Sequence, residues 1–73
     1  MEQQIYEAIE RIANYRDRLD IKFVNTQIGL YRLEAEKHWG LVRRLIHRQA
    51  NDIEFNLNEA VRKWKSRFEK IGK

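Results

Sequence analysis

Apolar residues recur along this chain at the spacing of helices. Ile5, Ile9, Ile12 and Leu19 fall on one side of a helix, and Ala8 and Tyr15 widen the stripe. Glu2 and Glu7 sit where the positive end of a helix dipole favours carboxylates, and Glu7 to Arg11 is an i,i+4 pair in the favourable order. The pattern predicts a first helix over residues 2–19. It falters in DIKFVNTQ, where Ile21, Phe23, Val24 and Thr26 are β-branched or aromatic and Asn25 or Thr26 could cap a new helix. This stretch reads as a connector that drops apolar side chains onto a bundle.

A second stripe runs Ile28, Tyr31, Ala35, Trp39, Val42, Ile46, which predicts a helix over 27–49. Gly29 and Gly40 each weaken it by about 1 kcal/mol relative to Ala, so Gly40 is a candidate break. Leu30, Leu33 and Leu41 lie off that stripe, and a helix apolar on two sides is either central in a bundle or shared between subunits. Asn51 to Glu54 and Asn56 to Glu59 both have capping-box spacing, and Leu57, Ala60, Val61, Trp64, Phe68 and Ile71 form a third stripe over 52–71. Ile53, Phe55 and Leu57 also alternate as a strand would, leaving a β-hairpin over 41–57 as the minority alternative. The expected fold is all-α, a single domain over residues 1–73 built as a helical hairpin plus a third helix.

Size adds one constraint. A chain of 73 residues without cysteine has a thin stability margin and no disulfide or thiolate metal site to widen it. Oligomerisation is the remaining staple, so a symmetric homodimer is expected, with Leu30, Leu33, Trp39, Leu41, Trp64 and Phe68 as its core or interface residues. The start of the chain lacks the basic, apolar pattern of a signal peptide, and no run is long enough to span a membrane. A cytoplasmic location is expected.

The net charge of +4 is unevenly spread. Residues 1–20 carry five acids against three Arg, whereas 41–51 hold Arg43, Arg44 and Arg48 with no acid, and 62–73 hold six bases with one Glu. Such asymmetry is the footprint of a polyanion binder. In the last helix Trp64 and Phe68 share the apolar side while Arg62, Lys63, Lys70 and Lys73 gather opposite, so the aromatics are packing anchors and not base-stacking platforms. Arg32, Glu36, Gly40, Arg43 and His47 form a companion stripe, with Arg44 adjacent and Arg48 one turn on. Helix-turn-helix, winged-helix and ribbon–helix–helix patterns lack a required element, and a zinc finger lacks cysteine. What remains is contact to a phosphate backbone without sequence reading, duplex RNA ahead of DNA. In length, helicity and basic faces the chain is similar to small helical RNA-binding dimers of viruses, such as nodavirus RNA-silencing suppressors and the RNA-binding domain of the influenza non-structural protein. That resemblance implies duplex-RNA binding by a dimer and assigns no residue a role.

Catalytic and cofactor chemistry has no foothold. Glu34 and His38 are i,i+4 but two ligands do not make a metal site, and no nucleophile–base set or phosphate-cradling loop occurs. No enzyme activity, cofactor or metal is expected. The rival reading is a protein-binding module that docks on an acidic partner, as phage-type inhibitors and antitoxins do, with Trp39, Trp64 or Leu41 as anchors. A basic amphipathic helix on an anionic membrane ranks last, because its apolar side is needed for a small core.

Overall fold

A computed structural model describes residues 2–71 of the chain, with side chains described through Arg67. Three helices account for it: α1 Glu2–Tyr15, α2 Arg18–Ala35 and α3 Gly40–Ile71. Glu2 accepts a hydrogen bond from Gln49 at 2.6 Å and Asn14 accepts one from Arg67 at 2.9 Å, so α1 runs parallel to α3 and α2 returns between them. The bundle measures 50 × 18 × 16 Å, its long axis set by the 32 residues of α3. The expected all-α hairpin with a third helix is the observed fold.

The helix boundaries differ from those the pattern predicts, each for an identifiable reason. α1 stops at Tyr15, because Asp17 is an N-cap whose carboxylate accepts from the backbone of Leu19 at 2.7 Å and Asp20 at 3.3 Å. Between them Arg16 takes a positive φ of 49° and donates its backbone N–H to Ile12. A non-glycine residue there costs about 1–2 kcal/mol. The Arg16 guanidinium lies 4.9 Å from the Trp64 ring centroid, a cation–π contact that offsets part of this. DIKFVNTQ is therefore interior to α2, not a connector: Val24 and Ile28 are core residues, and helix packing overrides the β preference of the segment.

The second difference is the hairpin bend. Ala35 ends α2, three i→i+3 hydrogen bonds tighten residues 36–38, and Gly40 opens α3 at φ 65°. Gly40 is a full break, and no single helix spans 27–49. Conversely α3 passes straight through QAND, because Ala50, Ile53, Leu57 and Ala60 are all buried at helical spacing. Residues 41–57 are helix, which removes the β-hairpin alternative.

The core is one cluster: Ile5, Ala8, Ile9 and Ile12 from α1, Val24 and Ile28 from α2, and the four buried residues of α3. Ala8, Ala50 and Ala60 let the backbones approach, while Ile5, Ile12, Val24 and Ile53 fill the volume. Among the described residues no helix is long and apolar enough to cross a membrane.

Candidate nucleic-acid interface

In a three-helix bundle each pair of helices shares one outward face, and contacts across the bundle identify all three here. Arg32 reaches Glu54 at 3.2 Å and Asn51 at 3.5 Å, which fixes the antiparallel register of α2 on α3. On the α2 side of that contact, spacings of three and four give Arg18, Lys22, Asn25, Gly29, Arg32 and Glu36. On the α3 side they give His47, Asn51, Glu54, Asn58, Arg62 and Lys65. Neither stripe contains a large apolar residue. With the register fixed at Arg32, Lys22 comes about level with Arg62, and Arg18 with Lys65 and Ser66. The two stripes adjoin into one polar face on the side away from α1, with Arg43 and Arg44 flanking it near the hairpin bend. From Arg44 to Lys65 it is about 32 Å long at the helical rise.

Charge on this face is one-sided. Arg18, Lys22, Arg32, Arg43, Arg44, Arg62 and Lys65 stand against only Glu36 and Glu54. Arg32 is neutralised by Glu54, and Arg43 donates to both oxygens of Glu36 at 3.1 and 2.9 Å. His47 lies 3.9 Å from the same carboxylate. Arg62 touches Glu59 at 3.5 Å with 79% of its side chain exposed, a solvated i,i+3 pair of little energetic weight. Arg18, Lys22, Arg44 and Lys65 are exposed and make no ion pair among the described residues. Two cations, Arg32 and Arg43, are thus held by the fold, Arg62 is held loosely, and four are available.

The acids lie elsewhere. Glu2, Glu7 and Glu10 are on α1, and Asp20 points toward it, where the Arg11 guanidinium donates to both carboxylate oxygens at 3.0 and 2.9 Å. That hydrogen bond holds the Asp20 carboxyl below its ordinary range and raises Arg11. Near the bend, Glu34 is also held below its ordinary range, first by its hydrogen bond to His38 and then by Lys37. Tyr31 is raised, chiefly by burial and then by the nearby Glu2 carboxylate. The α1 side therefore carries both signs, with Glu2, Glu7 and Glu10 against Arg11 and Arg16, while the α2–α3 side is basic.

The residues expected from sequence divide accordingly. Arg32, Arg43, Arg44, His47 and Arg62 come together on the α2–α3 face, although the chain reverses at residues 36–39 and they do not share one helix. Arg48 stands at its edge, on the same side of α3 as the exposed Phe55 two turns on. Lys63 does not join it. It lines the groove between α1 and α3 beside Glu10 and Glu59. The Lys70 and Phe68 side chains and all of Lys73 lie outside the described residues. Of the expected core or interface residues, Trp64 is half-buried under Arg16, whereas Leu30, Leu33, Trp39 and Leu41 are exposed on this single chain. Sequence reasoning missed Arg18, Lys22 and Lys65. The signal was present as an unbroken polar stripe at spacings of four, three, four and three from Arg18 to Arg32, hidden by assigning residues 20–26 to a connector.

Asn25, Asn51 and Asn58 occupy the middle of the face with Gly29 and are exposed. Their amides can both donate and accept, and Gly29 with short side chains leaves room for a backbone to lie close. Exposed cations in a row beside short amides suit contacts to phosphates and sugars. Neither a family model, nor a curated protein, nor a solved structure matches this chain.

Proposed function

We propose that this protein is a non-enzymatic nucleic-acid binder that lays its α2–α3 face along the phosphate backbone of a duplex without reading sequence, with RNA favoured over DNA. The observation that carries this reading is the sorting of cations: those on the α2–α3 face outnumber the carboxylates there, and four of them have no intramolecular ion pair among the described residues. A face that served only to be solvated would mix signs, as the α1 side does with Glu7, Glu10 and Arg11. The asparagine row supports RNA, because amides that donate and accept match a 2′-hydroxyl that does both. A cytoplasmic site of action belongs to the same reading.

One observation favours a second reading, a module that docks on an acidic protein. Trp39 is 85% exposed at the hairpin bend, next to Leu41 at 69%, and such aromatic and aliphatic anchors are typical of protein interfaces. Fluorescence anisotropy of a labelled RNA duplex, with matched DNA duplex as competitor, separates the two. Saturable binding that weakens with salt and is competed better by RNA is the expected result. Absence of binding at low salt overturns the nucleic-acid reading and leaves the protein-docking one.

A further inference from the structure

Phe55 takes no part in the packing of the bundle. In α3 it stands two residues from both Ile53 and Leu57, about 200° around the helix from each, so it points directly away from the core they fill. It is 64% exposed. An aromatic is also a weaker helix former than Ala, Glu or Lys, so neither packing nor propensity accounts for it. Arginines lie before and after it on the same outward line. Arg44, Arg48 and Arg62 fall within about 20° of its direction around α3, and Arg48 and Arg62 are each about 10 Å from it along the axis. Arg44 and Arg48 are exposed and make no ion pair among the described residues, while Glu59 holds Arg62 loosely at 3.5 Å. One turn from the ring, the two flanks of the helix differ. Asn51 and Asn58 lie toward α2, whereas Asp52 and Glu59 lie toward the α1–α3 groove.

We propose that Phe55 is a stacking platform for one unpaired base, so that the preferred ligand of this face is an RNA duplex interrupted by a bulge. The inference rests on the phosphate path proposed above and names the RNA structure which that path selects. Phosphates are drawn to the arginines two turns before and after the ring. Over the ring itself two carboxylates within a turn repel them, so the group that fits there is flat and uncharged. Paired bases are covered on both faces by their neighbours, whereas an unpaired base can turn out of the helix and lay one face on an aromatic side chain. Phe55 is placed for this, at the outer edge of the face and about 60° around α3 from the middle of its polar stripe. A backbone crossing that stripe leaves a base free to swing over the ring. Asn51 accepts a long hydrogen bond from Arg32 at 3.5 Å and keeps its NH2 to donate, and Asn58 is exposed, so an amide on either side of the ring can bond the edge of the base. Stacking tolerates any sequence, because every base has a π-face.

Anisotropy titrations of a blunt RNA duplex, and of the same duplex with a single bulged adenine, test this on the full chain and on Phe55→Leu and Phe55→Trp. The parent should bind the bulged RNA at least about fivefold more tightly, the low end of what one stacked base contributes. Phe55→Leu keeps an apolar side chain without a π-face and should bind both RNAs equally, at the parent's affinity for the blunt duplex. Phe55→Trp should keep the preference. Salt slope and melting temperature should be the same for all three proteins, since the ring holds no phosphate and lies outside the core. With 2-aminopurine as the bulged base, binding should quench its fluorescence for the parent and not for Phe55→Leu. Equal affinity of the parent for the two RNAs, or a preference that survives in Phe55→Leu, would overturn the stacking role while salt-sensitive binding of the blunt duplex left the phosphate path standing. Failure of the parent to bind either RNA at low salt would overturn both.

Discussion

Replacing Lys22 and Lys65 together with alanine removes two of the four cations on the α2–α3 face that have no ion pair among the described residues, one from each helix and about one turn apart along the face. Binding to a duplex displaces condensed counterions, and each neutralised phosphate contributes roughly 0.9 to the slope of log affinity against log salt. Counting Arg18, Lys22, Arg44, Lys65 and the loosely held Arg62 as contacts gives a slope of about −4.5, so affinity falls roughly 500-fold between 50 and 200 mM salt. The double variant keeps three contacts, a slope of about −2.7, and a fall of only roughly 40-fold over the same range. Neither side chain is buried or paired, so the melting temperature should move little. Lys63→Ala is the internal control, because Lys63 faces the α1–α3 groove. The assay is anisotropy of a labelled duplex at four or five salt concentrations for the three proteins. If the double variant keeps the parent slope, or if Lys63→Ala lowers it as much, the phosphate path does not follow this face.

Other consequences concern the scaffold. Ile53 is fully buried at the centre of α3, so Ile53→Ala should cost about 2–5 kcal/mol, a large part of the ~4–11 kcal/mol available to a chain this size, and lower the melting point by more than 10 °C. Gly40→Ala and Gly29→Ala should move thermal stability in opposite directions. A β-carbon meets nothing within 4 Å at either site, but Gly40 has φ 65° while Gly29 is in a helix interior. The expected changes are a loss of about 1–2 kcal/mol at Gly40 and a gain approaching 1 kcal/mol at Gly29. The Arg11–Asp20 pair depresses the folded-state pKa of Asp20, so its contribution is complete above the unfolded value near 3.8 and is lost as pH falls through the folded value. Melting curves of the parent and Asp20→Asn should therefore differ at neutral pH and converge in acid. A difference that persists at the lowest pH would show that the pair is not its source.

Three helices were legible in the sequence, and so was part of the core, whereas Val24, Ala50 and Ile53 were missed because the helix boundaries around them were misplaced. Ile5, Ile9, Ile12, Ile28 and Leu57 are buried where their periodicity puts them. The breaks were harder to read, since they turn on single residues that compete with their neighbours. Asp17 ends α1 through two backbone hydrogen bonds, and nothing in periodicity distinguishes that aspartate from Asp20 three residues on. Gly40 was visible as a weak point, but whether it kinks or reverses a helix depends on the tertiary packing of Ala35 and Ala50 on either side, both fully buried. Asn51 and Asp52 carry strong capping signals that the burial of Ala50 and Ile53 overrules.

The placement of the bend decides what the charges can do. Had residues 27–49 formed one helix, Arg32 and Arg43 would lie eleven residues apart along a single rod, about 16 Å, with Glu36 solvated between them. Folding the chain back at residues 36–39 spends Glu36 on Arg43 and Glu54 on Arg32, so the carboxylates nearest the basic face are consumed in fixing the hairpin. The same reversal sets α2's polar stripe beside α3's, which gathers Arg18 and Lys22 with Arg62 and Lys65 from positions forty or more residues apart in sequence. A run count of charges along the chain, which points to 41–51 and 62–73, undervalues α2 for that reason. Across the two helices, the cations left over after the internal pairs are satisfied form a row about as long as a turn of duplex. The proposed function rests on this residue of unspent charge on the α2–α3 face, and not on the net +4 of the chain.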